Sequence, residues 1–191
     1  MKKYTLPLSG LAISLGMISS AMAAPVTGTQ TITGKLTAPT CTVSVPVDFK
    51  IPDLTVTRMN SVGFNTNVPS HTGVRIGAIN VQNCENVQAT AKSTEGTDAQ
   101  GPGNGRFKYA NVIKVDPAQE PLLYHLTRKP KNMTPGDGSW KGFNLTGAAP
   151  LSVGDGDELY LDLVRGRAPK PIDSHYLGNY SANVTFTFNY S

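Results

Sequence analysis

From Gly178 to Ser191 the chain reads Gly-Asn-Tyr-Ser-Ala-Asn-Val-Thr-Phe-Thr-Phe-Asn-Tyr-Ser and alternates without a break. Tyr180, Ala182, Val184, Phe186, Phe188 and Tyr190 fall on one face, and Asn179, Ser181, Asn183, Thr185, Thr187 and Asn189 on the other. A period of two with aromatic and β-branched residues predicts a half-buried strand, and a strand needs neighbours to pair with. Shorter alternating stretches recur upstream, at Cys41-Val43-Val45-Val47, Val74-Ile76, Asn111 to Val115, Leu122 to Leu126 and Leu159-Leu161-Leu163. Turn-forming clusters separate them, at Gly101 to Gly105, Thr134 to Gly138, Gly154 to Asp157 and Arg167 to Pro171. No long apolar segment has helical spacing, so the pattern is that of an all-β sandwich, with residues 95–105 and 165–176 expected as long, mobile loops.

The chain opens with a different pattern. Lys2 and Lys3 precede an apolar stretch from Leu6 to Met17, and Ala21-Met-Ala23 supplies a small-residue cleavage site. This is the layout of a secretory signal peptide over residues 1–23, and the stretch is too short and too broken by Pro7, Gly10 and Gly16 to anchor in a bilayer. Removing two lysines lowers the formal charge from +4 to +2. So small a surplus gives no argument for nucleic acid or an anionic membrane as partner. The remaining chain suffices for one domain with one core.

Cys41 and Cys84 are the only cysteines, and an exported chain meets an oxidising compartment. A single pair admits one connectivity, and closing that loop stabilises a fold by about 4 kcal/mol in the chain-entropy model. With no second thiol nearby, a structural staple is expected rather than redox chemistry. His71, His125 and His175 are far apart in sequence and are expected at the surface or in turns, with no metal site. Gly154-Asp-Gly-Asp-Glu158 lacks the ligand ladder of a calcium loop and reads as a solvated turn. Gly101-Pro-Gly-Asn-Gly105 has no Lys-Ser/Thr to engage a phosphate and reads as a loop. Trp140 with Lys141, and Tyr124 with His125, fit a sugar-stacking surface less well than core or turn packing. Sequons at Asn132, Asn144, Asn179, Asn183 and Asn189 follow from an Asn- and Thr-rich composition. No nucleophile elbow is present, so the expectation is a protein without catalytic residues and without cofactors.

One family combines these features. Gly34 stands seven residues before the first cysteine in the weakly alternating run Thr27 to Leu36. Pro39-Thr-Cys41-Thr-Val-Ser44 and Asn83-Cys84 frame the cysteine pair, Gly178 is fourteenth from the C-terminus and Tyr190 is penultimate. At these spacings the chain resembles the pilin subunits of chaperone/usher fimbriae in Gram-negative bacteria, of the type 1 and P pilus kind. The resemblance implies an incomplete immunoglobulin-like sandwich lacking its last strand, completed by a donor strand from a periplasmic chaperone and then from a neighbouring subunit. It implies a donor extension over residues 24–40 and a pilin domain over 41–191. The donor face would carry Gly28, Gln30, Ile32, Gly34 and Leu36, with Thr29, Thr31, Thr33 and Lys35 outward. Gly28 and Gln30 are smaller or more polar than is usual in the family, so weaker pockets are expected there. The groove would be flanked on one side by the final strand, with Gly178, Val184, Phe186, Phe188 and Tyr190 as its residues, and on the other by Cys41 to Val47.

The function implied is a structural subunit of a surface fimbria that polymerises by donor-strand exchange and supports cell adhesion. Its partners would be a periplasmic pilus chaperone, an outer-membrane usher, neighbouring fimbrial subunits and, at the level of the fibre, a host glycan; its route would run through the periplasm to the cell surface. The alternative is a carbohydrate-binding adhesive domain at the fimbrial tip. A two-domain adhesin fits poorly, because the pilin features begin directly after the signal and a donor-like extension is present.

Overall fold

The computed structural model describes residues 40–99, 101–133 and 140–190. The signal segment and the donor positions Gly28, Gln30, Ile32, Gly34 and Leu36 lie outside the described residues. Twelve strands and one short helix follow in chain order: β1 (Thr42–Ser44), α1 (Val56–Ser61), β2 (Val74–Ala78), β3 (Asn80–Gln82), β4 (Gln88–Ser93), β5 (Gly105–Arg106), β6 (Lys108–Tyr109), β7 (Leu122–Lys129), β8 (Lys141–Gly142), β9 (Leu151–Ser152), β10 (Glu158–Arg165), β11 (Tyr180–Ser181) and β12 (Val184–Asn189).

Two sheets carry the fold. In one, the order is β2-β10-β7-β5 with β8 also on β7; in the other it is β12-β4-β9. Two smaller ladders, β1-β3 and β11-β6, complete the pairing, and every pairing is antiparallel. β7 and β10 pair in unbroken register from Glu158↔Lys129 to Arg165↔Leu122. Their inward leucines, with Tyr124, form the floor of the core.

β12 pairs with β4 from Val184↔Ser93 to Asn189↔Gln88. Phe186 lies opposite Ala91 and Phe188 opposite Ala89. Both alanines are fully buried, and their small side chains leave room for the rings beside them. The Cys41–Cys84 disulfide, with Cα atoms 4.8 Å apart, joins the ends of β1 and β3. Asn83 and Asn86 adopt positive φ in the turn that presents Cys84.

Several expectations are corrected. Strand β1 ends at Ser44, because Pro46 offers no amide and Val47 is 79% exposed. Asn111 to Val115 is not a strand but a loop with Ile113 at its surface. The segment from 95 to 105 is tied across its base: Asp98 N donates to Asn104 O at 2.8 Å and Arg106 N to Gly96 O at 3.1 Å. The 165–176 loop is gathered around Arg165, which is 1% exposed. Its Nη1 donates to Pro121 O at 3.1 Å and Gly166 O at 2.7 Å, and Nη2 to Ala168 O at 2.6 Å. Helix α1 is capped by Thr55, whose hydroxyl accepts from Arg58 N at 3.2 Å.

Candidate functional site

A groove of about 930 Å³ runs along the sandwich between residues 45–54 and residues 178–186. Its floor is Ile76, Phe107, Tyr124, Leu126, Leu159 and Leu161. The two rims differ in kind. One rim is strand: β11 and β12 pair on one side with β6 and β4, and among the described residues the other edge of β12 carries no partner strand. Such an edge exposes a row of amides and carbonyls ready to pair with another chain. The other rim, residues 45–54, forms no ladder. Val45, Phe49, Ile51 and Leu54 hold it by packing half-buried against the core.

Two further contacts fix that rim. Gly77 lets Pro46 approach so closely that a Cβ at 77 would stand 2.5 Å from Pro46 Cγ. His71, 6% exposed, places Nε2 3.1 Å from Pro52 O; a carbonyl can only accept, so Nε2 carries the proton. The backbone of His71 is itself bonded to the central strand through Leu163 N to His71 O at 2.8 Å.

The floor grades from aliphatic to aromatic. Phe107 packs 5.0 Å from both Tyr124 and Tyr180, centroid to centroid, at the Gly178 end. The Tyr124 hydroxyl donates to Ser93 Oγ at 2.8 Å, and burial pushes the phenols of Tyr124 and Tyr180 above their usual range. They are therefore neutral hydrogen-bonding aromatics rather than bases. Beneath this end, buried Glu120 takes Arg106 Nε at 2.8 Å and the Tyr109 hydroxyl at 3.3 Å. Burial raises the Glu120 carboxyl, against the lowering effect of Arg106.

Of the groove residues expected from sequence, Gly178, Val184 and Phe186 line it. Phe188 packs against the core 6.3 Å from Phe186, Tyr190 is 57% exposed, and neither is among the lining residues. On the opposite rim Val45 and Val47 line it, and the lining extends on to Leu54. That extension has a visible signal, the apolar residues Phe49, Ile51 and Leu54, although the run is broken by Asp48, Lys50 and Pro52.

The remaining candidates are structural. His71 is buried in the bend before β2 and His175 is exposed, each within the expectation of surface or turn; His125 departs from it, half-buried on β7 beside Asn104, where burial lowers its pKa. The acidic turn is not simply solvated. Asp157, 4% exposed, accepts from Gly154 N at 2.7 Å and Arg128 Nε at 2.6 Å, and Asp155 caps Val81 N at 3.0 Å. Trp140 packs on Tyr160, centroids 4.8 Å apart, and Tyr124 is buried. Among the described residues no three His, Cys, Asp or Glu side chains gather to hold a metal ion, and no helix is long and apolar enough to cross a membrane.

The arrangement compares with a known structure. The P pilus rod subunit PapA superposes with a TM-score of 0.52 over 86% of this chain and 100% of that one, at 10% sequence identity. The chain has the immunoglobulin-like pilin fold. No protein-family model matches the sequence, and no curated protein matches it. The pilin fold therefore rests on backbone geometry, with its sheets distributed between groove floor and rims as described above.

Proposed function

We propose that this chain is a structural subunit of a surface fimbria that polymerises by donor-strand exchange. The observation that carries the reading is the groove, apolar along its floor and bordered by one regular strand whose outer edge has no partner among the described residues. The lining of that rim spans nine residues, Gly178 to Phe186, about 27 Å when extended. The proposed donor segment of this chain, Gly28 to Leu36, has the same length. Ile32 and Leu36 would each contribute about 1.5–3 kcal/mol on burial, and the ladder along β12 about 1 kcal/mol per hydrogen bond. Residues 1–23 act as the export signal, residues 24–40 as the donor extension and 41–191 as the acceptor domain. A periplasmic chaperone holds the groove before assembly, and an outer-membrane usher orders the exchange. Because each copy donates at one place and accepts at another, the contact does not close and a fibre grows. Host glycans are then ligands of the fibre rather than of this groove.

The test is a fusion. Placing a second copy of residues 24–37 after Ser191 on a short flexible linker makes pairing intramolecular, at an effective concentration of order millimolar. The fused form is expected to be monomeric and to melt well above the unfused one. Replacing Gly34 by Leu in the appended segment is expected to reduce the gain, since a Cβ branch must then enter a site chosen for glycine. Equal melting midpoints with both forms monomeric would refute the reading.

A further inference from the structure

The groove's rims run in opposite directions. β1 leads from the disulfide into residues 45–54, which climb to Pro52 beside His71. The second rim starts at Gly178, pairs Tyr180 with Tyr109 beyond the Leu122 end of β7, and descends along β12. An incoming strand can be antiparallel to only one of them. β12 offers the regular ladder, whereas the 45–54 rim has no amide at Pro46 or Pro52. Antiparallel pairing is also the more stable per residue. Under the donor-strand reading a donor segment would run against β12, and its last residue, Leu36, would emerge beside Gly178. Only Thr37 to Thr40 then remain before Cys41 of the donating copy. Four residues reach at most about 14 Å.

That mouth is apolar. Ile113 is fully exposed and Leu177 is 43% exposed. Their loops are joined by Asn111 Nδ2 donating to Leu177 O at 2.9 Å and Ala110 N to Asn179 O at 2.9 Å. Leu177 borders a hollow of about 80 Å³ lined also by Leu54, Met59, Ile172 and Tyr176. Single exposed apolar residues need no explanation, but Leu177 on the rim of an apolar hollow, with Ile113 on the loop bonded to its segment, where a short tether would bring another body, marks an interface. We infer that this end face docks a second copy of the chain through that copy's Cys41–Cys84 end. The inference rests on the donor-strand reading, and it adds a body-to-body contact outside the groove.

The experiment separates the two. A photoreactive residue, Ile113→p-benzoylphenylalanine, is placed in the full exported chain and irradiated after assembly. Cross-links are expected to map to residues 40–44 and 83–87 of the neighbour. In parallel, Ile113→Asp with Leu177→Asp should leave binding of a synthetic peptide of residues 24–37 unchanged while slowing polymerisation by about tenfold or more, as loss of interface anchors does. Peptide binding without those cross-links, or wild-type polymerisation by the double variant, overturns the docking face alone. No peptide binding in the parent chain overturns the groove reading and the docking face with it.

Discussion

Gly105 on β5 and Gly142 on β8 sit on the two short strands that pair with the edge of β7 opposite β10, and they should respond differently to the same change. A Cβ built on Gly105 stands 2.6 and 2.7 Å from Cε2 and Cε1 of Tyr124, where ordinary contact begins near 3.4 Å. Cζ would come closer still, so the ring would have to retreat by roughly 1 Å or more. It has no room to do so, being 1% exposed, packed 5.0 Å from Phe107 and tied to Ser93 Oγ at 2.8 Å. Overpacking of this kind costs about 1–3 kcal/mol, and loosening the buried hydroxyl's bond adds about 1 kcal/mol. The gain from a less flexible unfolded chain returns about 0.4–1 kcal/mol. Gly105→Ala should therefore destabilise by about 2–3 kcal/mol, a fall in Tm of roughly 5–10 °C for a domain of this size. A Cβ on Gly142 meets nothing within 4 Å, so Gly142→Ala should be neutral or raise Tm slightly. Thermal and urea unfolding of the two variants decides it. Because Tyr124 lines the groove, Gly105→Ala should also weaken binding of the 24–37 peptide, and Gly142→Ala should not. Equal stability of the two variants would refute the close approach of Gly105 to Tyr124.

Two further outcomes are expected. Intact-mass measurement after alkylation should find both Cys41 and Cys84 protected until reduction, and the Cys41→Ala, Cys84→Ala pair should lose about 4 kcal/mol, with free thiols in untreated protein as the contrary result. Glu158 is held down to about 2, chiefly by Arg75 and then by Tyr160 and Lys129, so its contribution is present above the unfolded value of about 4.3 and is lost as pH falls toward 2. Arg75 is more than half exposed and solvent screens the pair, so Glu158→Gln should cost less than about 1 kcal/mol at pH 7, a cost that shrinks as the pH falls through 2; a difference that grows on acidification would contradict the assignment.

Strands built from large residues were legible in the sequence. β7, β10 and β12 show their inward Leu, Tyr and Phe at every second position, and turn clusters mark their ends. β4 was not legible, because its inward residues are Ala89 and Ala91, whose burial depends on the rings of β12 lying across from them. Asn111 to Val115 misled for the converse reason. It alternates, but Ala110 and Asn111 are drawn into bonds with the 177–179 segment, and among the described residues no strand lies alongside to continue a ladder. The groove's regular rim could be anticipated from alternation alone. Its irregular rim could not be followed past Val47, since Asp48, Lys50 and Pro52 interrupt the period while Phe49, Ile51 and Leu54 still reach the core. The buried roles of His71, Asp157 and Arg165 depend on carbonyls and amides distant in sequence, and residue type alone does not announce them.

Those distant contacts explain why the groove keeps its width. For the 45–54 rim to move inward and pair with β12, it would need a row of amides, and Pro46 and Pro52 remove two of them. The move would also carry Pro52 O away from His71 Nε2, leaving a buried imidazole donor unsatisfied at a cost of about 1–3 kcal/mol. It would in addition pull Pro46 off the surface that Gly77 leaves bare. Phe49, Ile51 and Leu54 would have to give up their half-buried places against the core, each worth a fraction of the roughly 1.5–3 kcal/mol of a full burial. Closure is opposed by side-chain anchoring on one rim, while the strand edge on the other still presents an unsatisfied ladder among the described residues. Under the proposed function the two rims then act differently on an incoming segment. β12 supplies backbone hydrogen bonds that any extended segment can use, and the anchored rim holds the apolar floor at a fixed spacing that only a segment with the right alternate side chains can fill.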